Sequence, residues 1–242
     1  PFAQRYGFGA QWKNKVTLTE VAGPDSPALK VSDQEAIWFY PVGPPYLATA
    51  RDMLNIAIKW TEFVPKVHKE YPNLLAEMFA FCIAAAHLEL PHQMIESLMV
   101  SNVHSPGEGW PFVDNIPASD ACSFGSIPDH HRHPVPSVLH FCQRYIVGDK
   151  WFFGKRKMPT DFFTCESPLL EEPPSDLATK YDFVAPPGDP NKRKTVSQTR
   201  IVRESFCVCS ATMASNDASR FFKQHHCSPG NIDSMNFYGL FH

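Results

Sequence analysis

HPVPSVLHFCQRYIVGDKWFFGK, residues His133–Lys155, is the stretch on which the reading of this chain turns. Pro134 and Pro136 open it, and a short apolar strand from Val138 to Ile146 follows. Alternation puts Val138, His140 and Cys142 on one face of that strand and Leu139, Phe141 and Gln143 on the other. Gly148 and Asp149 then make a turn that delivers Lys150, Trp151, Phe152 and Phe153. These residue types suit a ligand site. Neutral imidazole binds metals, lysine holds phosphate as a point charge, and indole covers an apolar face or stacks on a ring.

Upstream, Met94 to Pro136 reads as loop and holds His104, His130, His131 and His133. A zinc site needs fixed geometry, so this loop-borne group reads as a solvated cluster. Downstream, Trp151–Phe153 and Asp161–Cys165 read as short extended pieces. Residues 169–200 read as a Pro-rich linker, either an extended arm over the surface or disordered. From Arg200 to Lys223 the apolar residues return to helical spacing, so 201–242 is expected to be a C-terminal helical segment. Cys207, Cys209, His226 and Cys227 are zinc-ligand types. Cys-x-Cys is poor spacing for a knuckle. Helix packing with one optional disulfide therefore stands beside a zinc-bound interaction module.

In the first half of the chain, Lys15–Glu20 alternates and reads as a strand. The stretch AIWFYPVGPPYLAT (Ala36–Thr49) contains Pro41, Pro44 and Pro45, so it cannot be one central strand. It reads as strand Ala36–Tyr40, loop Pro41–Pro45 and strand Tyr46–Ala48. The loop, with Gly43 inside and Tyr40 and Tyr46 at its rim, is either a cleft wall or a surface crossover. Thr49 caps a helix from Ala50 to Lys69, with Pro65 expected to kink or break it. Asn73 caps a second helix, Leu74–Leu88, apolar nearly all round and so buried. Glu77 is its only acid before Glu89. Either it satisfies the first helical turn, or it points into a cleft.

Composition narrows the function classes. With 242 residues and 43% apolar content the chain can bury a core. Its net charge of −3 gives no basic field for nucleic acid. No apolar run approaches the roughly 20 residues of a spanning helix, and no signal peptide is visible. A start at Pro1, directly in foldable sequence, reads as a piece of a longer protein. Cys82, in the apolar helix, is expected to be buried and inert.

The chain resembles the plant and algal peptidyl serine α-galactosyltransferases, and more distantly the hydroxyproline O-arabinosyltransferases. The resemblance runs through AQRYGFG (Ala3–Gly9), VTLTEVAGPDSPAL (Val16–Leu29), YPVGPPYLATARDM (Tyr40–Met53), LLAEMFAF (Leu74–Phe81) and PSVLHFCQRYIVGDKWFFGK (Pro136–Lys155). It continues in DFFTCESPLL (Asp161–Leu170) and NDASRFFKQHHC (Asn216–Cys227). It implies an α/β, Rossmann-like fold of the GT-A glycosyltransferase type, with residues 1–168 as the C-terminal part of that domain. No Asp-x-Asp motif occurs in the chain. Either the uridine- and metal-binding part precedes Pro1 and this part alone is expected to be inactive, or the chain is a degenerate relative.

The resemblance further implies retaining, metal-dependent transfer of galactose from UDP-galactose to serine in hydroxyproline-rich, extensin-like proteins. Mn²⁺ would be the cofactor. The setting would be the Golgi or endoplasmic reticulum lumen, with membrane anchoring through a segment outside this chain. His140 matches the family's metal histidine. Gly148 and Lys150 match its diphosphate positions, and Glu77 its acidic position facing the acceptor. Gly43 and Trp151 complete the expected nucleotide-sugar site, Trp151 by excluding water. The rival expectations are a glycan-binding or scaffold domain stacking sugars on Tyr40, Tyr46, Trp110 and Trp151, and the zinc module.

Overall fold

The computed structural model describes residues 1–6, 8–123, 134–141, 144–186 and 189–227. They form two units, Pro1–Met99 with Ser105–Glu108, and Val100–His104 with Gly109–His242. Both are mixed α/β with small sheets.

The first unit runs β1 (Phe2–Gln4), α1 (Trp12–Lys15), α2 (Leu18–Ala22), α3 (Asp33–Phe39), β2 (Tyr46–Leu47), α4 (Ala50–Glu70), α5 (Ala76–His87) and β3 (Gln93–Ile95). β1 is central, antiparallel to β2 and parallel to β3. α5 carries the core: Phe79 through Ala86 are all buried. A helix apolar on every side must be covered on every side. α4 supplies one wall with Ile56, Phe63 and Val67, which recur at helical spacing. Gln4, fully buried beside this core, ties the chain after β3 to β1. Its side-chain oxygen accepts from the N–H groups of Leu98 and Met99 at 2.9 and 3.0 Å.

Several expectations change here. Lys15–Glu20 is not a strand but the junction of α1 and α2. Trp12 and Val16 are buried at i, i+4, a helical interval, and the Trp12 indole donates to the Tyr40 carbonyl at 2.8 Å. Ala36–Tyr40 is not a strand either. The Ser32 hydroxyl accepts from the Glu35 N–H and the Glu35 carboxylate accepts from the Ser32 N–H, a reciprocal box that nucleates α3. α4 runs through Pro65, which lies on its exposed side; burial of the opposite face offsets the missing bond. α5 starts at Ala76, not Leu74. Leu75 (φ 84°) takes the left-handed turn ahead of it, in place of the expected Asn73 cap.

The second unit begins within β4 (Met99–Val100) and continues α6 (Trp110–Asp114), β5 (Val138–Leu139), β6 (Tyr145–Val147), β7 (Trp151–Phe153), α7 (Leu177–Lys180), β8 (Phe183–Val184), β9 (Lys194–Thr195) and α8 (Gln198–His226). α8 is its spine. It buries Ile201, Val202, Phe206, Cys207, Val208 and Ala211, but also Glu204, Asn216 and Lys223. β6 and β7 form a hairpin, with Val147 opposite Trp151 and Tyr145 opposite Phe153. The expected single strand Val138–Ile146 is two strands, β5 and β6, with Cys142 and Gln143 outside the described residues.

Residues 169–200 are not a linker. Leu169, Leu170, Leu177, Ala178, Phe183 and Val184 are buried, and α7, β8 and β9 lie there. The prolines set turns between pieces of core rather than a free arm. The boundaries expected at 168 and 200 therefore fall inside the second unit. Two disulfides, Cys122–Cys209 and Cys165–Cys227, cross-link it over 87 and 62 residues. Of the C-terminal segment, residues 228–242 lie outside the described residues.

Candidate functional site

The six expected site residues divide between the units. Gly43 and Glu77 belong to the first; His140, Gly148, Lys150 and Trp151 belong to the second.

His140 follows β5 directly, and its N–H donates to the Val100 carbonyl at 2.9 Å. The side chain is half-buried, and its Nδ1 is enclosed without a hydrogen-bond partner among the described residues. Burial, and then the positive charge of Lys155, hold the imidazole below its ordinary pKa. The ring is therefore held toward its neutral form, the form that binds a metal. For Mn²⁺ the fit extends to one ligand. Among the described residues no three His, Cys, Asp or Glu side chains gather as a metal group.

Gly148 closes the β6–β7 turn in the left-handed region at φ 63°. Its N–H donates to the Phe183 carbonyl at 2.9 Å and its own carbonyl accepts from Ala185 at 2.8 Å, so β8 is stitched to the turn. A Cβ here would meet the Tyr181 ring at 2.3 Å. Both the left-handed backbone and the missing side chain are required by packing, and the N–H is engaged within the protein.

Lys150 is exposed at the hairpin tip. Its ammonium lies 2.8 Å from a Glu171 carboxylate oxygen and 4.6 Å from the centre of the Trp151 ring. Trp151 is half-buried, packed against the core on one side. The expected lysine and tryptophan are thus neighbours, but the lysine already has a counter-charge.

Gly43 is buried, and a Cβ there would stand 2.0 Å from the Gln4 carbonyl oxygen. Its N–H donates to the Tyr46 hydroxyl at 3.0 Å. It lets the Pro/Gly loop pass against β1. Glu77 is exposed in the first turn of α5, with its carboxylate toward solvent, and its carbonyl accepts from the Trp60 indole at 2.7 Å.

The rival constellations lose residues. Tyr40 and Trp110 are buried, and Tyr46 stacks on Phe81 at 3.9 Å between ring centres, so these rings do not offer faces to a sugar. Cys209 and Cys227 are joined to Cys122 and Cys165, and Cys207 is buried in the core, so the zinc set is dismantled. Where one optional disulfide is expected, the described residues hold two. His130, His131 and His133 lie outside the described residues, and His104 is exposed. Cys82 is buried as expected, its thiol pushed up to about 12 by burial.

Sequence reasoning misses two features. Arg144, Lys155, Arg156 and Lys157 gather exposed around the open end of the β6–β7 hairpin. In sequence Arg144 is split from the run Lys155–Lys157 by the hairpin itself, which hides the grouping. The second feature lies in the first unit. There Arg5, Trp38, Phe39, His92, Gln93 and Met94 line an open hollow of about 470 Å³. Trp38 and Phe39 are about half exposed on α3, a helix whose sequence reads as a strand.

No family model matches the chain, and neither the curated proteins nor the solved structures contain a match to it. Among the described residues no helix is long and apolar enough to cross a membrane.

Proposed function

We propose that this chain is part of a UDP-sugar-dependent glycosyltransferase domain of the GT-A type. On the resemblance, it transfers galactose with retention to serine of a hydroxyproline-rich, extensin-like protein. The observation that carries the reading is His140: an imidazole held toward its neutral form, its enclosed Nδ1 without a partner among the described residues, beside a hairpin that bears a lysine and a tryptophan. His140 would hold Mn²⁺ through its imidazole. When bound, the ion supplies charge to stabilise a leaving diphosphate. Trp151 would exclude water from the donor. The resemblance gives Glu77 to the acceptor, and its solvent-facing carboxylate is suited to orient a hydroxyl. The remaining metal ligands would come from a preceding Asp-x-Asp segment.

Support for a lumenal setting comes from the two disulfides, which persist in oxidising compartments. Calorimetry on the full-length protein with UDP, with and without Mn²⁺, tests the reading. Expected is UDP binding that needs Mn²⁺ and is lost in His140→Ala, with the circular dichroism of the variant unchanged. No UDP binding at millimolar Mn²⁺ overturns it.

A second reading has its own observation. The half-exposed Trp38 and Phe39 faces beside Arg5 suit a glycan-binding surface better than the buried rings of Tyr40 and Trp110. Saturable oligosaccharide binding that is abolished by Trp38→Ala, and indifferent to Mn²⁺, would favour it.

A further inference from the structure

The hairpin separates two kinds of positive charge. At its tip, Lys150 is paired with Glu171 at 2.8 Å. Most other basic side chains of the same unit are paired as well. Arg200 pairs with Glu204, Arg203 with Asp114, Arg220 with Glu172 and Asp217, and Lys180 with Asp176. At the open end the pattern breaks. Among the described residues, Arg144, Lys155, Arg156 and Lys157 have no carboxylate within ion-pair distance. Four like charges in one place repel one another, and an anion relieves that repulsion.

Their placement follows from the fold. Tyr145 and Phe153 are paired at the open end of the hairpin, and Arg144 and Gly154 flank them. The Arg144 side chain reaches to within 3.6 Å of where a Gly154 Cβ would stand. Lys155–Lys157 is a single turn of 3-10 helix, closed by the Lys157 N–H on the Gly154 carbonyl at 2.8 Å, so three successive basic side chains fan outward. His140 belongs to the same end. The Tyr145 hydroxyl contacts its carbonyl at 3.3 Å, and Phe141 packs on Phe153 with ring centres 5.2 Å apart. Three residues of strand put the tip roughly 10 Å away.

We propose that Arg144 and Lys155, with Arg156 and Lys157 behind them, seat the diphosphate of a nucleotide ligand next to His140, and that Lys150 is not its main counter-charge. The inference rests on the transferase reading for the identity of the nucleotide. A diphosphate carries several negative charges, and an arginine can grip two of its oxygens at once. The His140 imidazole lies at the same end as this cluster, which pairs with no carboxylate among the described residues. A diphosphate at the tip would instead have to compete with Glu171.

Calorimetry on the full-length protein decides this, with UDP and with inorganic pyrophosphate, in Mn²⁺, at low and high salt. The variants are Arg144→Gln/Lys155→Gln and Lys150→Gln, all surface changes checked by circular dichroism. The double variant is expected to weaken UDP binding about tenfold or more and to flatten its salt dependence. Lys150→Gln should change it by less than about twofold. A double variant that binds UDP as wild type does, or a larger loss from Lys150→Gln, overturns the seat and leaves the transferase reading standing. Wild-type binding of pyrophosphate but not UDP, lost in the double variant, supports the seat and sinks the transferase reading. Binding of neither ligand overturns both.

Discussion

The two units solve the same problem with different means. The first surrounds one helix, α5, whose inner residues are almost all alanine, phenylalanine or isoleucine, and its cysteine is free and buried. The second is organised on α8, which buries a carboxylate, an amide and an ammonium along its length, and it is cross-linked by two disulfides. Hydrophobic burial scales with area and tolerates imprecise partners. Buried polar groups stabilise only when each finds its mate. Glu204 accepts the Ile146 N–H at 2.9 Å, Asn216 bonds both the N–H and the carbonyl of Leu170, and Lys223 donates to the Ser167 carbonyl. Such a core fixes one arrangement of short irregular strands, which is what a loop-rich half needs.

The largest predicted effect separates the units by their cross-links. Closing an 87-residue loop constrains the unfolded chain strongly. Cys122→Ala/Cys209→Ala should therefore lower the stability of the second unit by about 4 kcal/mol. Hydrogen exchange should show protection lost along α8 and kept along α5. Equal loss in both helices would break the distinction.

Acid should act on the other side of the comparison. His92 in the first unit is buried, its Nε2 without a partner among the described residues, and burial lowers its pKa to about 4. The folded state favours the neutral ring. The stability this contributes is fully present above the ordinary value near 6.5 and is lost as pH falls from there toward 4. With about 1.4 kcal/mol for each pH unit between those two values, the loss is on the order of 3 kcal/mol. Denaturant melts read by α5 exchange at pH 7 and pH 4 should show it, and His92→Gln should flatten the difference. A slope unchanged in that variant would assign the acid sensitivity elsewhere.

Asn216 tests the polar core. Its amide holds the Leu170 backbone in both directions, at 2.8 and 2.9 Å, and also donates to Glu172 at 3.0 Å. Truncation strands two buried backbone groups, so Asn216→Ala should cost about 2 kcal/mol of second-unit stability. A loss below about half a kcal/mol, measured by urea unfolding, would mean water replaces the amide at no cost.

How much is legible in the sequence differs between the units for the same physical reason. Residues 50–70 and 76–87 announce themselves through the period of Ile56, Phe63 and Val67 and through the unbroken run Phe79–Ala86, because apolar burial leaves a pattern along the chain. The β6–β7 hairpin is readable from Gly148-Asp149 between apolar residues. Residues 169–200 mislead because proline and charge dominate the composition, while Leu169, Leu170, Leu177 and Phe183 are buried by partners far away in sequence. The cation cluster hides for the same reason: Arg144 and Lys155 are 11 positions apart and meet only because the hairpin returns. Gly148 and Lys150 stand out as residues, but their engagement by Phe183 and Glu171 depends on tertiary contacts.

The smallest predicted effect concerns a local signal that the aromatic run after it masks. Ser32-Asp33-Gln34-Glu35 is a capping box, in a place that reads as turn and loop ahead of a strand. The Ser32 hydroxyl accepts from the Glu35 N–H at 3.2 Å, and the Glu35 carboxylate, held below its ordinary pKa by the Ser32 N–H and hydroxyl, closes the box at 2.8 and 2.7 Å. α3 has little else to hold it. Of its seven residues only Ala36 is buried, while Ile37, Trp38 and Phe39 are about half exposed. The cap therefore decides whether those aromatic faces stay where they line the hollow with Arg5 and His92. Ser32→Ala should cost about 1 kcal/mol, and it should fall on α3 alone, seen as faster exchange of residues 36–39 and altered Trp38 fluorescence without a shift in the α5 amides. A uniform loss across the first unit would make α3 part of its cooperative core. No loss would mean that the contacts of Ala36 and Tyr40 suffice to hold the helix without its cap.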